Sequence, residues 1–147
     1  MPLDPPAQED PPLPPSGSRR ALIMEHEKAI VEILAEVLAG EGVKALGAPD
    51  MKNATMMLAA AVDRAESIDL IVANNVHGGA HCEPLLDWIR ASTLVYGDGR
   101  LLRETPVIAM GVEGDPFEDD PSVEYLQKPF RLADFVNAVR QAIGRED

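Results

Sequence analysis

Few side chains in this 147-residue chain have chemistry to offer at close spacing. They are Glu25, His26, Asn74, Asn75, His77, His81, Cys82 and Lys128. A carboxylate such as Glu25 suits a hard cation, while imidazole and thiolate suit transition metals. His77 and His81 are four apart, so a helix would bring both imidazoles to one face. Gly78 and Gly79 lie between them and oppose that helix. The single cysteine excludes an internal disulfide and a four-cysteine zinc site. Cys82 precedes Glu83-Pro84 near a predicted helix start, where a thiol pKa can fall; cysteine is equally at home buried. The acidic run from Glu113 to Asp120 lacks EF-hand spacing and reads as a solvated loop. There is no glycine-rich phosphate loop, nucleophile elbow or catalytic triad, so no enzyme is expected.

The elements that must carry these residues alternate in type. RALIME, from Arg20, is an apolar run long enough for a buried strand. In HEKAIVEILAEVLAGEG the residues Ile30, Ile33, Leu34, Val37 and Leu38 recur at helical spacing, and Gly40 and Gly42 end the helix. VKAL is a weak second strand. Pro49-Asp50 open a helix over 50–66, in which Met51, Met56 and Met57 read as filling the core and covering the helix face. IDLIVA is a third strand, followed by the turn-rich NNVHGGAHC. Pro84 suits the first position of the helix PLLDWIRAS, with Trp88 half-buried beneath it. A looser TLVYGDGRLLRET leads to the strand PVIAM. GDPFEDDP is poor helix sequence and precedes the strand VEYLQ. After Lys128-Pro129 comes a last helix, with Leu132, Phe135, Val136, Val139 and Ile143 along one face.

Continuous apolar strands alternating with amphipathic helices indicate a parallel sheet covered on both faces, a doubly wound α/β domain. Chemistry in such a sheet gathers at the carboxyl ends of the strands. That places Glu25-His26, Asn74-Asn75, Gly111 and Lys128 together.

Composition narrows the rest. Seven prolines fall between Pro2 and Pro15, so residues 1–18 read as a disordered, partly polyproline-II arm, and 19–147 as the folded domain. The net charge is −12; the arm's Asp4, Glu9 and Asp10 leave −9 on the body. This acidity argues against nucleic acid and anionic membrane as partners and suits a basic protein. No apolar run nears the roughly 20 residues of a membrane helix, and no secretory signal opens the chain, so a cytoplasmic setting is expected.

DLIVAN, TPVIAM and YLQKPF, each in its place in this order, give residues 20–145 a resemblance to the CheY-like receiver domain of two-component response regulators. The resemblance implies a five-stranded sheet in the order 2-1-3-4-5. It also implies a site in which an acidic pair holds Mg²⁺, an aspartate accepts a phosphoryl group from a histidine kinase, and a hydroxyl and a lysine complete the set. Carried onto this chain, the pair falls on Glu25 and His26, the acceptor on Asn74, the hydroxyl on Gly111 and the lysine on Lys128. Only Lys128 keeps the family's residue type. An amide is not a competent phosphoryl acceptor, and Asn75 does not replace it. With 16 residues between Gly111 and Lys128, the family's fourth helix is expected to be short or missing.

The resemblance therefore implies a pseudo-receiver that signals by binding, with Lys128 and Asn74 in a fixed hydrogen-bonded cluster. It implies no cofactor, and Mg²⁺ binding of the standard kind is not expected. Candidate contacts for a partner are Tyr125, Phe117 and Phe130, with core packing the alternative for Phe130. The partner is a protein: a histidine kinase, another signalling protein or a second copy of the chain. Two alternatives stay open. One is a metal- or ligand-responsive switch using His26, His77, His81 or Cys82. The other is a receiver phosphorylated at a non-standard acceptor such as Asp87 or Asp115.

Overall fold

The computed structural model describes residues 19–64, 66–74, 82–111 and 123–144. The elements in chain order are β1 (Arg19–Met24), α1 (Lys28–Gly40), β2 (Val43–Ala48), α2 (Met51–Asp63), β3 (Leu70–Asn74), α3 (Cys82–Ala91), a 3₁₀ turn (Leu102–Glu104), β4 (Val107–Gly111), β5 (Val123–Gln127) and α4 (Leu132–Ala142). Every strand pairing is parallel, and the strands lie in the order 2-1-3-4-5. This is the doubly wound sheet that the alternation of apolar runs and amphipathic helices requires.

The alternation of side chains along each strand divides the core in two. On one face Leu22, Met24, Ile71, Ala73, Val107 and Ala109 pack with Ala54 and Leu58 of α2 and Leu85 and Ile89 of α3. On the other, Ala21, Ile23, Leu70, Val72, Ile108 and Met110 pack with Leu34 and Leu38 of α1 and Phe135 and Val139 of α4. β1, β3 and β4 are thus apolar on both sides, which is why their sequences show no polar alternation.

Several local details depart from expectation. Ile33 and Leu132 were expected on buried helix faces, yet they are 53% and 54% exposed. Leu34, Leu38, Phe135 and Val139 fill the space beneath α1 and α4, and the two exposed residues lie outside that packed stripe. Met56 is exposed, whereas Met51 and Met57 pack against the first core. α2 stops at Asp63; its start is fixed by Asp50, whose carboxylate accepts the Asn53 N–H at 2.8 Å. α3 opens at Cys82, which puts Pro84 in its third position instead of its first. Trp88 is half-buried against the first core. Gly42, at φ 80°, turns the chain out of α1 into β2.

The proline-rich segment 1–18 and the stretch 112–122, where a short or missing helix was expected, lie outside the described residues. No helix among the described residues is long and apolar enough to cross a membrane.

Candidate functional site

The parallel register brings the carboxyl ends of four strands to one edge. Met24 is opposite Ala73, Asn74 opposite Met110, and Gly111 opposite Gln127. Glu25 continues β1 and donates its N–H to the Ala48 carbonyl at 2.9 Å. Lys128 continues β5 and donates its N–H to the Gly111 carbonyl at 2.7 Å. The Lys128–Pro129 peptide bond is cis. Glu25, Asn74, Gly111 and Lys128 are therefore held by backbone pairing before any side chain is considered.

Their side chains form one chain of hydrogen bonds. The Lys128 Nζ donates to Asn74 Oδ1 at 2.5 Å, and Asn74 Nδ2 donates to Glu25 Oε1. The other oxygen of Glu25 accepts the backbone N–H of Glu27 at 2.8 Å. Glu25 and Asn74 are each 1% exposed, so these bonds stand in for lost water. The order of groups has a simple electrostatic reason. An amide presents an acceptor to the ammonium and a donor to the carboxylate. It bridges opposite charges without adding one. A carboxylate in its place would face Glu25 with like charge.

His26 is exposed, with Nδ1 3.4 Å from Glu25 Oε2. One ligating atom from each of Glu25, His26 and Glu27 falls within a 4.8 Å group. The resemblance to receivers implies a magnesium ion at this edge, and the residues do not fit it. Mg²⁺ demands octahedral oxygen ligands. Here position 26 offers imidazole nitrogen, position 74 is neutral, and both Glu25 oxygens already accept N–H donors.

Gly111 carries no hydroxyl, but a hydroxyl lies beside it. The Tyr125 Oη is 2.5 Å from where a Gly111 Cβ would stand. Tyr125 is half-buried and packs against the first core, and Phe130 is half-buried against the second. Phe117, His77, His81, Asn75 and Asp115, and the acidic run 113–120, lie outside the described residues, as does the side chain of Cys82. Asp87 is exposed on α3.

Sequence reasoning missed a second cluster, at the opposite edge of the sheet. Between α3 and β4 the chain folds back through a Val95–Leu101 bridge. Arg100 pairs there with Asp69 and with Asp98, both at 2.9 Å, and its guanidinium lies 5.7 Å from the centre of the Tyr96 ring. Asp69 also accepts the Arg20 N–H at 2.9 Å, tying the segment to β1. Tyr96 and Thr105 share a hydroxyl–hydroxyl bond of 3.0 Å beside a cleft of about 180 Å³. Burial pushes the Tyr96 phenol above its ordinary value. The backbone N–H of Arg100 holds the Asp98 carboxyl below its own, against slight desolvation and with help from the Ser67 hydroxyl. These partners satisfy one another, which makes the cluster a strap closing the sheet's amino edge. Only GDG within TLVYGDGRLLRET signalled a turn there.

No protein-family model and no curated protein matches the chain by sequence. Solved structures do match in fold. The chemotaxis protein CheY4 of Vibrio cholerae superposes with a TM-score of 0.67 at 15% identity, over 84% of this chain and 98% of that one. The receiver domain of the hybrid histidine kinase CckA gives 0.61 at 25% identity, over 84% and 98%. A response regulator receiver domain protein of Clostridium thermocellum gives 0.67 at 20% identity, over 86% and 94%. The chain has the CheY-like receiver fold, with the sheet order that the resemblance implied.

Proposed function

We propose that this chain is a pseudo-receiver: a signal-transduction protein that works by protein–protein binding, without accepting a phosphoryl group. The observation that carries the reading is the Lys128–Asn74–Glu25 chain of hydrogen bonds. In a receiver the residue at position 74 is the nucleophile and must be an anionic oxygen. Asn74 has instead a neutral amide, and its carbonyl oxygen already holds the lysine. The lysine's charge is thus spent on a standing bridge to Glu25, where a phosphotransfer site would aim it at incoming phosphate. Together with the misfit to magnesium, this leaves the pocket in one arrangement and the surface around it as the working part.

On this reading residues 19–147 form the binding domain, with 1–18 an arm, in the cytoplasm. The partner is a signalling protein, a histidine kinase among the candidates, or a second copy of the chain. The net charge of −12 favours a basic contact surface on that partner. Phe117, Phe130 and Tyr125 remain the candidate contacts.

The test is incubation with acetyl phosphate and Mg²⁺, read by intact mass. The expected spectrum is unchanged, beside a conventional receiver that gains one phosphoryl group. A stable phosphoryl adduct would overturn the reading, and mapping it to Asp87, Asp115 or another side chain would establish the non-standard acceptor in its place.

A further inference from the structure

Gly111 is not a glycine because its backbone needs one; its φ lies outside the left-handed range that favours glycine. The reason is space. Tyr125 is paired opposite Ala109, and both side chains lie on the first-core face of the sheet. Gly111 is two residues beyond Ala109 and so on that same face. From its place opposite Ala109 the Tyr125 side chain reaches Gly111, and its oxygen stops 2.5 Å from where a Cβ on residue 111 would begin. Carbon and oxygen do not approach so closely without bonding. The ring carbons beside that oxygen, Cζ and Cε1, lie 3.4 and 3.5 Å from the same point, ordinary contact. The misfit is therefore confined to the hydroxyl.

We infer that Gly111 and Tyr125 are a size-matched pair that holds the β5 aromatic ring folded over the end of β4. The hydroxyl at this corner of the pocket is then supplied by β5, in place of one carried on β4. Any side chain at 111 displaces the ring, and with it the surface that β5 offers. The bearing on partner binding rests on the pseudo-receiver reading. The position of the ring does not. Tyr125 is a positioning residue in this arrangement: it fixes the shape of the β4–β5 corner.

The chain has two tyrosines, Tyr96 and Tyr125, at opposite edges of the sheet. Uniform 3-fluorotyrosine labelling therefore gives two fluorine signals, assigned with Tyr125→Phe, and Tyr96 serves as an internal reference. In Gly111→Ala the Tyr125 signal is expected to move towards that of a fluorotyrosine in an unfolded peptide, with the Tyr96 signal unmoved. A Tyr125 signal that stays in place overturns the pairing. Thermal melts provide the second arm. Gly111→Ala is expected to lower the Tm of the wild-type chain by more than it lowers that of Tyr125→Phe, which lacks the colliding oxygen. Folding only in the Tyr125→Phe background gives the same answer; equal shifts, or failure to fold in both backgrounds, overturn it. Neither readout involves phosphate. A negative result leaves the binding reading standing, and a phosphoryl adduct on the wild-type chain would remove that reading while leaving the pair intact.

Discussion

At the scale of single residues, the pocket turns on the side-chain amide of Asn74. The amide takes an ammonium on one side and gives a hydrogen bond to a carboxylate on the other. Each neighbour then depends on it. Replacing Lys128 with Met keeps the length of the stem and removes the donor, leaving the buried Asn74 oxygen unsatisfied and Glu25 without its cation. A loss of about 1–3 kcal/mol is expected, read from the urea midpoint at unchanged slope. A midpoint equal to wild type would mean that the lysine is solvated and bridges nothing. Asn74 and Lys128 could be paired from sequence because each ends a strand in a sheet of known order. The contact of Tyr125 with Gly111 could not. It depends on which way a ring turns after it leaves the strand, and periodicity carries no such information.

At the scale of elements, apolar runs were sufficient to find β1, β3 and β4, because Ala21–Met24, Leu70–Ala73 and Val107–Met110 are covered on both faces. Helix faces were read less well. Ile33 belongs to the apolar spacing of α1 and Leu132 to that of α4, but a stripe wider than the groove beneath it leaves its margin in water. The strap between α3 and β4 was illegible for another reason. Asp69, Asp98 and Arg100 meet across two loops, and no local pattern joins them. Its acid response follows from Asp98. With the folded-state pKa held below the ordinary 3.8, the contribution of that carboxylate is complete above 3.8 and is lost as pH falls through the lower folded value. Asp98→Asn should therefore lose melting temperature less steeply than wild type as pH falls through that range, with Asp50 and other carboxylates setting the slope that remains. Parallel slopes for the two proteins would show that the carboxylate contributes nothing there.

At the scale of the whole molecule, a common sheet carries an uncommon pocket. Two cores, one on each face, fix the strand ends independently of what the pocket holds. The fold therefore keeps its shape whatever side chains end the strands. An acidic chain also repels itself, and the buried carboxylate at Glu25 is tolerated because the neutral amide and the lysine lie next to it. On the pseudo-receiver reading the pocket is closed by its own hydrogen bonds and needs neither metal nor phosphoryl group. Thermal unfolding of wild type and Asn74→Asp, each with and without Mg²⁺, tests it most directly. Asn74→Asp sets two carboxylates against each other with one ammonium between them and is expected to be less stable than wild type, with Mg²⁺ restoring part of the loss. The wild-type melting temperature is expected to be indifferent to the ion. A wild-type chain stabilised by Mg²⁺, or an Asn74→Asp chain as stable as wild type without it, would contradict the closed pocket.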